Sequence, residues 1–200
     1  MVYGEAGSGK STLALQLFLA SLRSRLKCLY VDALGKPPSW IAERVVMAIR
    51  ELGDFGFVHK AYTFRDLYEL VLSLEDMIYS GLRVVIIDTL TRPYRAELGP
   101  KAISVKLNKM LNRIMALLLR DTRYCGALVL VTADVRRRLE TGEEPVAAKI
   151  IDYWADVIIR LEKLEKGGIF HVEKHYDREV EGSKVRYYIT KRGLEGVRAL

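Results

Sequence analysis

The sequence predicts an α/β domain in which a mainly parallel sheet is flanked by helices on both faces and extended by a C-terminal antiparallel β-hairpin. Three observations carry this expectation. Short β-branched runs alternate with longer amphipathic segments, the pattern of strands buried beneath crossover helices. The spacing G-x-x-x-x-G-K-S, Gly4 to Ser11, follows a stub of strand and precedes a helical run, the local order of a P-loop. Beyond Arg160 the texture changes: "GIFHVEKH" and "KVRYYIT" flank a polar turn at Glu181-Gly182-Ser183, which reads as the hairpin.

Val2 and Tyr3 supply the end of the first strand, and Gly4, Glu5, Ala6, Gly7, Ser8, Gly9, Lys10, Ser11 and Thr12 then form the loop that would hold a nucleotide such as ATP. The glycines let the backbone turn its N–H groups toward phosphate, Lys10 reaches the β- and γ-phosphates, and Ser11 offers a hydroxyl to Mg²⁺. Thr12-Leu13-Ala14-Leu15 opens a helix whose positive end favours the anion. Further strands are expected at Lys27 to Asp32, Phe57 to Lys60, Val84 to Asp88, Ala127 to Thr132 and Val157 to Leu161. Thr63, with Asp66 three residues on, reads as the N-cap of a helix carrying Phe64, Leu67, Val71, Leu74 and Ile78 on one face. The next helix places Ile103, Leu107, Met110, Leu111, Ile114, Leu117 and Leu118 together. "VVIID" ends in Asp88, a Walker-B carboxylate that would face Mg²⁺ where the strands of an open α/β sheet terminate.

A chain of 200 residues, 50% apolar, buries one sizeable core, so residues 1–200 are expected to form a single domain. No apolar run reaches the ~18 residues of a membrane span, and the opening on the P-loop leaves no room for a signal peptide, so a cytoplasmic protein without membrane partners is expected. Cys28 and Cys125 lie in strand-like apolar contexts without a C-x-x-C partner and read as reduced structural thiols. Gln16 is the only glutamine and Asn108 and Asn112 the only asparagines, while Lys, Arg and Glu abound, a balance expected of a thermophile. The formal charge of +7 suits an acidic partner such as DNA, although charge alone argues encounter and solubility rather than function.

"VVIIDTLTRPYRAEL" (Val84 to Leu98), "VIIRLEK" (Val157 to Lys163), "VEKH" (Val172 to His175) and "YYITKRGLEGV" (Tyr187 to Val197) resemble the archaeal RadB proteins, recombinase paralogs within the RecA/RadA group. The likeness spans nearly the whole chain. It implies a RecA-like P-loop NTPase core with ATP and Mg²⁺ as cofactors, no separate N-terminal domain, and a role in DNA repair and homologous recombination. It also implies partnership with DNA, with a recombinase or other RecA-like protein, or with further copies of the chain.

Three positions depart from the pattern of that group. Its enzymes carry a glutamate just after the second strand, within "YVDTEG", which orients or deprotonates the attacking water; here the stretch reads "YVDALGKPP". Tyr30, Val31, Asp32 and Gly35 hold the alignment, and the glutamate's place falls on Leu34. Losing a positioned general base typically costs a factor of about 10² to 10⁴ in rate. The Asn-Gln pair that senses the γ-phosphate is replaced by Ala133-Asp134, and an anionic Asp134 would repel a triphosphate unless a cation intervened. Where related ATPases send a Lys and an Arg from a hairpin strand to a neighbouring subunit, this chain keeps Lys174 as the catalytic candidate beside Lys10 and Asp88 but has Tyr176 in the arginine's place. Arg178 lies two residues on, and Asp32 and Glu43 are the carboxylates available to replace the lost base. The expected balance is binding kept and hydrolysis weak or absent.

The remaining features concern surfaces. Lys106, Lys109, Arg113 and Arg120 recur at helical spacing opposite the apolar face, as a solvated stripe or a site for phosphates. Arg136, Arg137 and Arg138, in "VRRRLETGEEP", fall where RecA-type proteins place a DNA-contacting loop and are the nucleic-acid candidates. His171 and His175 lie about 13 Å apart if on a strand, too far to share a metal. The competing readings are a nucleotide-gated protein-interaction module without DNA binding, an active DNA-dependent ATPase with a relocated carboxylate, and a phosphotransferase using the arginine cluster as a lid.

Overall fold

Near-continuous apolar runs form strands that need cover on both faces, and the helices between them supply it. The structure, a computed structural model, describes residues 1–33, 39–138 and 142–196, and the side chains at 39–42, 137–138 and 142–143 lie outside that description. Strands β1 (Val2–Gly4), β2 (Lys27–Asp32), β3 (Gly56–Lys60), β4 (Leu82–Asp88), β5 (Leu128–Arg138) and β7 (Ile158–Lys163) run parallel. β8 (Gly168–Lys174), β9 (Lys184–Thr190) and β10 (Gly193–Gly196) continue the sheet antiparallel, and β6 (Gly142–Pro145) pairs with the outer part of β5. The order across the sheet is β3-β2-β4-β5-β1-β7-β8-β9-β10.

The helices are α1 (Lys10–Arg23), α2 (Ser39–Leu52), α3 (Phe64–Tyr79), α4 (Thr91–Ala96), α5 (Lys101–Cys125) and α6 (Ala148–Trp154). Alternation along β4 shows how one run serves two layers. Val84 and Ile86 pack with Phe18 and Leu22 of α1, whereas Val85 and Ile87 face Leu67 and Leu74 of α3 and Leu111 and Ile114 of α5. Thr63 caps α3 as its sequence predicts: Thr63 Oγ1 accepts from the Asp66 N–H at 3.0 Å and Asp66 Oδ2 accepts from the Thr63 N–H at 3.0 Å.

The structure departs from the sequence reading in three places. Val135 to Pro145 is expected as a loop, but β5 runs on through Arg138 and pairs with β6 as a two-stranded ribbon, in which Arg136 stands opposite Glu144 and Arg137 opposite Glu143. The Arg136–Glu144 ion pair across the ribbon favours that extension. A third C-terminal strand, β10, follows the expected hairpin; with two glycines in four residues it carries little strand signal of its own. Ile103 is 48% exposed, because the first turns of α5 project beyond the core and the first buried residue on the helix is Leu107. Among the described residues no helix is long and apolar enough to cross a membrane.

Candidate functional site

β1, β2 and β4 end along one edge of the sheet, where β5 passes on toward the ribbon, with Gly4 in register with Asp134 and Asp32 with Asp88. The loop from Gly4 into α1 closes over this edge. Gly4 admits no side chain, since a Cβ there would overlap the Leu161 carbonyl oxygen and stand 2.7 Å from Ser8 Oγ. Gly7 (φ 79°) and Gly9 (φ 99°) take left-handed conformations that turn the loop inward. Ala6 and Gly7 are exposed at its tip, Glu5 and Ser11 are half-buried, and Thr12 is buried. Lys10 is 8% exposed, and its Nζ donates to the carbonyls of Gly4 (2.8 Å) and Glu5 (2.9 Å). Burial pulls the Lys10 pKa below its usual value, against the opposing pull of Asp134 and Asp88. Ser8 Oγ is buried and has no hydrogen-bond partner. An orphaned buried hydroxyl, a cradle that a single methyl group would fill, and an ammonium bonded to loop carbonyls together fit a phosphate chain.

Asp88, the expected Walker-B carboxylate, is set by partners that the sequence does not reveal. Asp88 is 1% exposed, and both its oxygens are held: Thr132 Oγ1 donates to Oδ1 at 2.5 Å and Tyr30 Oη donates to Oδ2 at 2.7 Å. Burial, and then the neighbouring Asp88, drive the Tyr30 pKa well above its usual value, so it stays a donor. Thr89 Oγ1 donates to the Thr132 carbonyl at 2.8 Å, and Thr91 Oγ1 accepts from the Asp134 N–H at 2.9 Å, which locks the end of β4 to the end of β5. The available signal was positional, in "LYVD" and "VLVT", where polar residues end apolar strands at the same edge.

The C-terminal strands also reach the loop. Tyr187 Oη of β9 donates to the Ser8 carbonyl at 2.6 Å, and Gln16 of α1 bonds the Leu194 backbone in both directions, accepting its N–H at 2.9 Å and donating to its carbonyl at 3.3 Å. A Cβ on Gly9 would lie 3.1 Å from Leu194 and 3.3 Å from Ile189, and Arg44 of α2 donates to the Lys191 carbonyl at 2.8 Å. Tyr187 is 2% exposed, and burial pushes its pKa up to about 12. Tyr187→Phe is expected to lower unfolding free energy by about 1–2 kcal/mol, because it leaves a buried carbonyl without its donor, and denaturant titration would show it. An unchanged midpoint would mean that Ser8 does not depend on Tyr187.

Asp134 lies beside the Gly4–Ser11 loop, with its Oδ1 3.6 Å from Lys10 Nζ. Asp32 borders Asp88, while Glu43 is exposed on α2. Lys174 stands elsewhere: it pairs with Ile158 at the start of β7, about 10 Å along the strand from Leu161, which adjoins Gly4. Its Nζ donates to the Asp152 carbonyl, and Tyr176 and Arg178 are exposed in the turn that follows. Arg136 is ion-paired to Glu144 at 2.7 Å on the β5–β6 ribbon. On α5, Arg120 bonds Asp121 (2.9 Å) and Glu75 (3.1 Å), so it leaves the basic stripe, whereas Lys106 and Lys109 are exposed. Leu34 lies outside the described residues, as do the side chains of Arg137 and Arg138.

No protein-family model matches the chain. Proteins named DNA repair and recombination protein RadB do: that of Methanococcus maripaludis is 28% identical over 199 residues, covering 97% of this chain and 89% of the relative. The protein of that name from Methanocaldococcus jannaschii is 26% identical over 203 residues, covering 97% and 91%. A crystal structure of the RadB recombinase superposes with a TM-score of 0.77 at 31% identity, over 98% of this chain and 89% of that one. The chain belongs to the RadB family. The mainly parallel sheet flanked by helices, with β8 to β10 added antiparallel, is the RecA-like architecture of RadB. At two of the positions expected to depart from the RecA-type pattern, the Asp134 backbone is bonded to Thr91, while Tyr176 is exposed and stacks on its neighbour His175, ring centroids 4.2 Å apart.

Proposed function

We propose that this RadB-family protein binds Mg²⁺-ATP and acts in DNA repair and homologous recombination as a cytoplasmic accessory or mediator with weak or no ATP hydrolysis. The observation that carries the reading is the closed loop around Lys10, separated from Asp88 by the single strand β5, at the edge where α/β sheets gather ligands. In this reading the loop N–H groups and Lys10 bind the phosphates, Ser11 and Asp88 hold the metal, and Tyr30 and Thr132 orient Asp88. Bound Mg²⁺ would neutralise phosphate charge. Lys174 pairs with Ile158, about 10 Å along β7 from the residue beside Gly4, and its Nζ bonds the Asp152 carbonyl, so any part it takes in turnover is played toward another RecA-like subunit, whether a recombinase or a second copy of the chain. Calorimetric titration with Mg²⁺-ATP, run alongside steady-state hydrolysis on the same preparation with and without DNA, tests the reading; absence of binding rejects it.

Arg136, Arg137 and Arg138 are the proposed DNA contact. Their joint replacement by Ala is expected to weaken binding to single-stranded DNA equally across sequences, with a shallower salt dependence, by about 0.7 in log–log slope for each phosphate no longer neutralised. Fluorescence anisotropy across a salt series measures both. One observation favours a second reading, a nucleotide-gated protein-interaction module: Glu144 already neutralises Arg136 within the ribbon. Affinity and slope that both survive the triple substitution would select that reading.

A further inference from the structure

We propose that Asp134 makes the phosphate site discriminate against a third phosphate, so that the protein holds a nucleoside diphosphate more tightly than the matching triphosphate. The inference rests on the nucleotide-binding reading above and adds which form of the nucleotide the site retains.

Asp134 lies within β5, where the strand passes the loop, and its backbone is fixed on both sides. Its N–H donates to Thr91 Oγ1 at 2.9 Å, its carbonyl accepts from the Val146 N–H at 3.0 Å, and it is in register with Gly4 across the β1–β5 pair. Its carboxylate oxygen lies 3.6 Å from Lys10 Nζ, the ammonium that a P-loop directs at the β- and γ-phosphoryl oxygens. Among the described residues, Lys10 is the ion-pair partner of Asp134. A carboxylate fixed there has two effects. It competes with the terminal phosphoryl group for the Lys10 charge, and it sets a negative charge beside that group's own.

The two outer phosphates do not suffer equally. Backbone N–H groups of the loop hold the β-phosphoryl group, and their attraction does not pass through Lys10. The third phosphate depends more on the lysine and on whatever residue ends the neighbouring strand. A neutral amide at that place would donate or accept without repulsion, whereas Asp134 can only accept. A charge at 4–6 Å typically moves an equilibrium between charge states by about 10- to 1000-fold, so the lower end is expected for a half-exposed carboxylate that Mg²⁺ partly offsets.

The test is calorimetric titration of the full chain with Mg²⁺-ADP and, separately, with Mg²⁺ and the non-hydrolysable imidotriphosphate analogue of ATP, for the unmodified protein, Asp134→Asn and Asp134→Gln. The unmodified protein should bind the diphosphate about tenfold more tightly or better, and at least one of the neutral variants that retains the unmodified melting temperature should bring the two affinities to within about threefold. Equal affinities in the unmodified protein overturn the inference, as does a preference that persists in both neutral variants. Binding of both nucleotides without preference rejects this inference alone, whereas failure of both to bind rejects the nucleotide-binding reading with it.

Discussion

Lys10→Ala is expected to abolish nucleotide binding and, with it, all ligand-dependent stabilisation. At a nucleotide concentration 100 times Kd, a ligand that binds only the folded state adds about 2.7 kcal/mol, and the variant should show none of this gain in a thermal melt. The size of the loss follows from geometry. Lys10 is buried at the base of the loop with its Nζ on the Gly4 and Glu5 carbonyls, so it is the cation already inside the cradle, and charge-assisted bonds from it to phosphate are roughly twice as strong as neutral ones. Asp134 loses its ion-pair partner in the same variant, so the melt without nucleotide must also be recorded to separate a folding defect from a binding defect. Undiminished stabilisation by Mg²⁺-ATP in Lys10→Ala would remove the nucleotide reading.

The second large effect concerns turnover. Hydrolysis by the unmodified protein is expected near background, and Leu34→Glu is expected to raise it, because a positioned base contributes about 10²- to 10⁴-fold. The gain should be partial. In the proposed reading Asp134 would still oppose the terminal phosphate, and Tyr176 would occupy the place of an arginine worth about 10³- to 10⁵-fold in other phosphoryl-transfer enzymes. Asp32 is the carboxylate best placed to act instead, since it is in register with Asp88, while Glu43 is exposed on α2. Brisk DNA-stimulated hydrolysis in the unmodified protein, lost in Asp32→Asn or Glu43→Gln, would assign the base to that residue and end the weak-hydrolysis reading.

Much of the frame was legible in the sequence because its signals are local. The P-loop spacing, the apolar run ending at Asp88 and the Thr63–Asp66 cap each lie within a few residues, and the structure forms β1, β4 and α3 there. What was not legible depends on distant partners. Thr132 is an ordinary end of "VLVT" until the sheet order sets β5 beside β4, whereupon its hydroxyl reaches Asp88. Gln16 is one polar residue on α1 until β10 arrives to be bonded by it, and β10 has too little strand propensity to announce itself. The arginine run misled in a different way: the resemblance to RecA-type proteins suggested a loop there, but β5 runs on and pairs with β6, with Arg136 ion-paired to Glu144 across the ribbon. The resemblance to RadB, read from the Walker-B segment and the C-terminal strands, supplied the family, which local pattern could not.

The bond from Tyr187 to the Ser8 carbonyl spans 179 positions of the chain, and the Gln16–Leu194 pair spans 178. The phosphate loop is therefore translated long before the residues that brace it, and its ring of contacts closes only when the last strands have docked. Contacts of such sequence separation form slowly, since the entropy of closing the intervening chain must be met first. A nascent chain halted before β9 would carry a complete P-loop motif with an unbraced fold around it. Under the proposed function, competence to hold a nucleotide would therefore arise only once β9 and β10 have docked, late in synthesis.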